Sequence, residues 1–431
     1  MAVVLSFDQQ NFEDEINRLL TSKREVSEDV DHVVRDILHH VHERGDAALL
    51  EYTQKFDRLP ANSVADLKVS AEEIEAAIAQ VPEETYKALE LAQQRIRFHH
   101  EKQMPESMRY MDPIGVELGS IWTAVEAVGV YVPGGTASYP SSVLMNVVPA
   151  KVAGVERIVM VVPSPDGVLN PAVLAAAKIA GVTEIYKIGG AQAVAALAYG
   201  TETIKPVSKI VGPGNAFVAA AKRRVFGIVG IDMIAGPSEI LVVADDSANP
   251  NWVAVDLLSQ AEHDAVAQSI LITDSAELAK AAAEEVEKEL AILPRADVAR
   301  QSWNEFGAII VAKDLDQAMV LSNRFAPEHL ELCVNDPDSL LPKMRNAGAV
   351  FMGHFTPEAI GDYVGGSNHV LPTARSAKFS SGLSVLEFVK RTSLLRCNAE
   401  NLAKIGPAAI NLAETEGLHA HGKSVAIRLD L

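Results

Sequence analysis

Lys209-Ile-Val-Gly-Pro-Gly-Asn-Ala-Phe-Val-Ala-Ala-Ala-Lys-Arg-Arg-Val225 decides the fold class. Residues 209–211 form a short β-type run, Gly212-Pro213-Gly214 breaks it, and residues 216–225 go on with helical spacing. That is a strand, a glycine turn and a helix. The same unit precedes it at 124–132 then 141–153, 157–162 then 171–180, and 184–188 then 191–199. A second series follows at 239–244, 252–263, 269–273, 277–290, 308–311, 315–324, 330–334, 340–347 and 349–352. Strands alternating with helices argue for parallel sheets covered on both faces. The expected class is α/β, with two open, mostly parallel, incomplete Rossmann-like sheets. Side-chain identity between the two series is low, so the sequence does not establish a repeat.

The flanks read differently. Residues 9–105 are expected to be helices. Ser70-Ala-Glu-Glu73 has the form of a capping box, and the helix it opens stops before Pro82. A further helix runs over about 83–102. His32, Asp36 and His40 share one helical face, as a metal set or simply as a solvated surface. Helices near 383–390 and 399–416 and a short strand at 424–429 make an extended C-terminal arm, since about 50 residues bury little core alone.

With 431 residues and 48% apolar content, two or three domains are expected. Acidic residues number 57 against 38 basic, a net charge of −19, which repels phosphate backbones and argues against nucleic acid as a partner. No run of about 18 apolar residues exists, so no membrane span is expected. The start lacks a basic segment before an apolar one. Cys333 and Cys397 are the two cysteines, too few for a disulfide framework, and a cytoplasmic location is expected.

Three strand ends run into glycine: Tyr131-Val-Pro-Gly-Gly135, Ile188-Gly-Gly-Ala-Gln192 and Val211-Gly-Pro-Gly-Asn215. Such turns let backbone N–H groups approach phosphate beside a helix N-terminus. They also serve as plain βα connections. No complete G-x-G-x-x-G occurs.

Ser259-Gln-Ala-Glu-His-Asp264 gathers Glu, His and Asp at the end of a helical run, and three later stretches gather such residues beside Gly or Pro: Phe325-Ala-Pro-Glu-His-Leu330, Gly361-Asp-Tyr-Val-Gly-Gly-Ser-Asn-His369 and Glu414-Thr-Glu-Gly-Leu-His-Ala-His421. Gln260 and His263 share a helical face. His263, Asp362 and His421 are zinc-type ligands, and the neutral oxygen of Gln260 is an uncommon one. The set suits Zn, Mn or Co. Glu328 and His329 suit general-base work, although a solvated helix start after Pro327 accounts for them as well.

Taken together, these stretches resemble the histidinol dehydrogenase family over essentially the whole chain. Gly129-Val-Tyr-Val-Pro-Gly-Gly135, Tyr139-Pro-Ser-Ser-Val-Leu-Met-Asn146 and Ala235-Gly-Pro-Ser-Glu239 carry the resemblance with those above. It implies a zinc enzyme, one Zn2+ per subunit, that oxidises L-histidinol to L-histidine with two NAD, the last step of histidine biosynthesis. It implies Gln260, His263, Asp362 and His421 as metal ligands and Glu328 and His329 as catalytic bases. Ser238, His369 and Glu416 match substrate positions; Tyr131, Gln192 and Asn215 match NAD positions. It further implies a homodimer whose arm crosses over, so that Glu416 and His421 serve the neighbouring site. The expected division is an N-terminal extension at 1–25, a discontinuous main domain at 26–125 plus 238–375 carrying the metal and bases, an inserted NAD domain at 126–237, and the arm at 376–431. A dehydrogenase of another amino- or sulfo-alcohol would change the groups near Glu416 and His369. A zinc hydrolase would have no use for three glycine turns. Both cysteines are read as structural rather than as aldehyde carriers.

Overall fold

The computed structural model describes residues 2–21, 28–134, 139–234 and 236–431, with the side chains of 28 and 29 excepted. Gly135, Ala235 and residues 22–25 of the expected N-terminal extension lie outside the described residues. In chain order the strands are β1 (Val3–Ser6), β2 (Met108–Met111), β3 (Glu117–Ala124), β4 (Ala127–Tyr131), β5 (Arg157–Val161), β6 (Glu184–Tyr186), β7 (Lys209–Val211), β8 (Gly230–Ile231), β9 (Glu239–Ala244), β10 (Gln268–Thr273), β11 (Ala308–Val311), β12 (His329–Cys333), β13 (Ala349–Met352) and β14 (Val389–Arg396).

Two parallel sheets organise the chain. One runs β6-β5-β4-β7-β8 and the other β1-β11-β10-β9-β12-β13. Number the strands of each series from one, and both sheets read 3-2-1-4-5, with β1 added at the edge of the larger. The two series thus share a build that their side chains conceal. Strand β9 shows why the sheets are covered on both faces. Its six residues are all buried; Leu241 and Val243 join one apolar layer, Ile240 and Val242 the other. Full burial of such side chains stabilises by about 1.5–3 kcal/mol each.

The capping box is present: Ser70 Oγ accepts from the Glu73 N–H at 3.2 Å, and Glu73 Oε2 accepts from the Ser70 N–H at 2.9 Å. On the His-rich helix Glu28–Arg44, His40 Nδ1 lies 2.6 Å from the Tyr52 hydroxyl and Asp36 pairs with Arg35 at 3.2 Å. That face is occupied by ordinary surface contacts.

Four departures have physical reasons. Residues 3–6, expected within an extension, form an edge strand in parallel register with β11, from Val3↔Ala308 to Ser6↔Val311. Only Leu5 of the four is buried, so no alternation marked it. Helices between 28 and 101 pack on the five-stranded sheet, where Val34, Leu49, Leu89 and Ile96 enter its cores, rather than on the sheet of residues 238–375. Residues 389–396, expected in part to end a helix, form β14, antiparallel to β3 from Val389↔Ala124 to Arg396↔Glu117. With β2 it makes a third sheet held largely by its backbone ladder, since most of β14 is exposed. Finally, the expected strand at 424–429 is replaced by the helix His419–Ala426 and its trailing turn. This helix packs on Ala399–Thr415, where a Cβ on Gly406 would meet Leu429 Cδ1 at 2.5 Å. The close approach of two helices, invisible to strand periodicity, fixes the conformation.

Candidate active site

Between the two sheets lies a cavity of about 370 Å³. Its two walls come from opposite strand ends. From the carboxyl ends of the five-stranded sheet come Pro133 after β4, Gly212–Asn215 after β7 and Asp232 after β8. Strands β4 and β7 are where that sheet's order reverses, the usual place for a ligand in such sheets. From the amino ends of the six-stranded sheet come Ser238 before β9 and Glu328 and His329 at the start of β12. Gln260 and His263 follow from the end of the helix Pro250–Ala261, Asp362 from the helix Glu358–Tyr363, and His369 from the loop beyond.

His329 opens a strand, not a helix, and Glu328 sits in the bend just before it. Both side chains return to the backbone of Glu239 on the neighbouring strand. Glu328 Oε2 accepts the Glu239 N–H at 2.9 Å. His329 Nδ1 lies 2.9 Å from the Glu239 carbonyl, so Nδ1 carries the proton and donates. Its Nε2 then holds the lone pair; it is buried without a hydrogen-bond partner. Burial, ahead of its neighbours, pushes the imidazole down to about 3, so it is neutral at pH 7.

The metal-type residues lie together on the same wall. Gln260 is fully buried. Hydrogen-bond matching sets its amide: the nitrogen donates to Glu358 Oε1 at 2.9 Å and the oxygen accepts from the Glu239 N–H at 3.1 Å. Burial lowers the pKa of His263 and lowers His369 to about 4. Burial raises Asp362 to about 7, and its Oδ1 is 3.8 Å from His369 Nδ1. The donor atoms of His329, Glu358 and Asp362 approach one another within 4.8 Å. Glu358 Oε2 is buried without a partner, and burial followed by the Asp362 charge raises its pKa well above the usual range. Neutral imidazoles, an amide and two carboxyls straining toward neutrality are what a cation would satisfy, so the residues fit a divalent metal. Glu358 escaped the sequence reading. Its signal was the four-residue step to Asp362 on one helix face.

The cavity does not gather every expected residue. Tyr131 and Gln192 are buried behind it; the Tyr131 hydroxyl accepts the Gly190 N–H at 3.0 Å and ties the first two glycine turns together. Burial pushes that phenol up to about 12. Asn215 lines the cavity and caps the helix Ala216–Val225, accepting from Phe217 and Val218 N–H. Glu416 and His421 are exposed on the C-terminal helical pair, and no described residue beyond Thr373 lines the cavity. That pair leaves Leu412 and Ile427 about three-fifths exposed, at 61% and 58%.

Asp256, Glu331 and Cys333 form a second group, with Glu331 and Cys333 buried and Asp256 half-buried. The Cys333 thiol is 3.8 Å from Glu331 Oε2, and burial followed by the Glu331 charge pushes its pKa far up. No described helix is long and apolar enough to cross a membrane.

The sequence profile of the histidinol dehydrogenase family matches residues 20–429. The chain is 65% identical over 430 residues to a histidinol dehydrogenase of Agrobacterium fabrum (strain C58 / ATCC 33970), covering 100% of this chain and 99% of that one. It is 61% identical over 431 residues to one of Brucella suis biovar 1 (strain 1330), covering 100% of both. A crystal structure of histidinol dehydrogenase from Elizabethkingia anophelis superposes with a TM-score of 0.95 at 38% identity, covering 100% of this chain and 98% of that chain. The chain belongs to the histidinol dehydrogenase family.

Proposed function

We propose that the protein oxidises L-histidinol through L-histidinal to L-histidine, reducing two NAD, with one zinc per subunit, as the last step of histidine biosynthesis in the cytoplasm. One observation carries the reading. A glycine turn and a Glu328/His329 pair beside metal-type donors face each other across a single cavity. Residues 126–237 hold NAD at the glycine turns, with Asn215 on the cavity wall and Tyr131 and Gln192 in the turns behind it, and residues 238–375 supply the metal donors and bases. Gln260, His263 and Asp362 hold the zinc with the partner subunit's His421. The zinc, when bound, supplies a fixed template for the imidazole and amine of histidinol. Ser238, His369 and the partner subunit's Glu416 orient the substrate, so the carbinol carbon meets the nicotinamide in a set geometry. His329 Nε2 accepts the hydroxyl proton as hydride leaves. Glu328 then takes a proton from the water that attacks the aldehyde, and His329 deprotonates the resulting diol for the second transfer. With saturating NAD and zinc, two NADH are expected per histidinol consumed. A ratio of one overturns the four-electron reading.

The arm supports a homodimer with shared sites, because its apolar residues are left uncovered by its own chain. His263→Asn and His421→Asn homodimers are each expected to be inactive. Mixing them after reversible dissociation should restore one intact site per heterodimer, because the other site collects both lesions. Verified heterodimers without activity would show that the arm stays on its own subunit.

Neither thiol is needed to hold the aldehyde. Cys333 is held in its protonated form behind the bases. A Cys333→Ala, Cys397→Ala double variant is expected to keep both oxidations while losing about 1–2 kcal/mol of stability, most of it from the buried Cys333. Loss of histidinal oxidation alone, measured with intact fold, would make a thiol the aldehyde carrier.

A further inference from the structure

A buried ion pair braces the glycine turn after β7. Lys222, on the helix Ala216–Val225, pairs through Nζ with Asp232 Oδ1 just after β8, their side chains 3% and 1% exposed. Both also reach Gly212. Lys222 Nζ donates to the Gly212 carbonyl at 2.9 Å, and Asp232 Oδ2 accepts the Gly212 N–H at 2.8 Å. Asp232 Oδ1 takes the Met233 N–H as well, at 2.6 Å. Gly212 sits at φ +106°, and a Cβ there would lie 2.1 Å from the Tyr131 carbonyl oxygen. The turn therefore crosses directly over the end of β4, with both backbone polar groups of Gly212 committed to the pair. Lys222 and Asp232 line the cavity together with Gly212, Pro213, Gly214 and Asn215.

A buried ion pair is a poor source of stability, since desolvation offsets its attraction and an apolar pair of similar volume often serves as well. What an apolar pair does not supply is a donor for one peptide oxygen and an acceptor for the neighbouring N–H. We propose that Lys222 and Asp232 are positioning residues for the cofactor, holding the Gly212-Pro213-Gly214 turn and the helix start behind it in the shape that receives NAD. This rests on the reading that NAD occupies that turn. Lys222 acts through Gly212: its side chain is 3% exposed, and two of its three N–H donors go to a carboxylate and a carbonyl.

The test uses the full-length, zinc-loaded protein. Lys222→Met and Asp232→Leu singly leave one charge buried alone, so each should lower Tm. The double variant should recover part of that loss in Tm, because no lone charge remains although the Gly212 N–H and carbonyl lose their partners, yet its KM for NAD should stay about 10–100-fold raised, the effect of a misplaced binding loop. Its kcat at saturating NAD, its KM for histidinol and its zinc content should remain near parental. Asn215→Ala is measured alongside. If the double variant recovers both Tm and NAD KM, the pair is only structural and the proposal fails. A rise in Asn215→Ala without one in the double variant sinks the proposal alone. No rise in Asn215→Ala removes NAD from this turn, and the proposal falls with that reading. Should the double variant not fold, Lys222→Arg keeps the charge but changes its reach beneath Gly212. A raised NAD KM at parental Tm is then expected, and a parental KM overturns the proposal.

Discussion

Glu328→Gln is expected to separate the two oxidations. The substitution keeps the size of the side chain and its acceptor toward the Glu239 N–H, so His329, anchored on the carbonyl of the same residue, stays in place. What disappears is a base. Loss of a positioned general base costs about 10²–10⁴-fold in rate, or roughly 3–5 kcal/mol of transition-state stabilisation. The loss should fall on hydration of the aldehyde. In a single turnover with excess NAD, the first NADH should form at close to the parental rate and the second should lag. His329→Asn should slow both, because Nε2 is asked to accept an oxygen-bound proton each time. Histidinol and histidinal as alternative starting substrates make the decisive comparison. Equal slowing of the first hydride transfer from histidinol and of histidinal oxidation by Glu328→Gln would show that the division of labour is wrong.

Removal of the metal is the second large effect. A chelator is expected to abolish activity, with zinc or manganese restoring it. His263→Asn should weaken metal retention by more than about 100-fold, beyond the 10–100-fold that loss of an outer partner costs. Metal content after dialysis measures this without relying on turnover. A titration adds a second reading. Burial lowers the pKa of His263, so the ring is a ready neutral donor. Burial raises Asp362 to about 7, so near neutrality much of it carries a proton that a cation would displace. Adding zinc to the metal-free protein at pH 7 should therefore release protons, and the release should shrink at pH 9, where Asp362 is already ionised. A metal-free protein with full activity would overturn the zinc reading.

Periodicity carried the sheets because their strands are short apolar runs between strong turn signals. β4, β5, β9, β10 and β12 were legible for that reason. β1, β2 and β14 were not, because β2 and β14 are mostly exposed and β1 buries only Leu5, so each owes its place to a neighbour's backbone. The tail misread as a strand shows the converse: Val425, Ile427 and Leu429 alternate, but Gly406 admits a second helix close enough to override the pattern. Among site residues, Ser238, Gln260, His263, Glu328, His329, Asp362, His369 and Asn215 do meet in one cavity. Glu358 was missed, since a glutamate after proline is common and its burial is a tertiary fact. Strand-end reasoning placed the glycine turns at carboxyl ends but gave no hint that the bases would enter from amino ends. Glu416 and His421 do not line this cavity, and nothing in the periodicity of the chain could say where they serve.

The opposed strand ends have an electrostatic consequence. The helix Ala216–Val225 begins at the cavity, while the helix Pro250–Ala261 ends there. A helix start carries about +0.5 charge and a helix end about −0.5. One wall is therefore biased toward anions, where a diphosphate would lie, and the facing wall toward cations, where Gln260 and His263 leave the last turn. Two sheets with the same strand order, met head to tail, bias the two walls toward opposite charges before any side chain contributes.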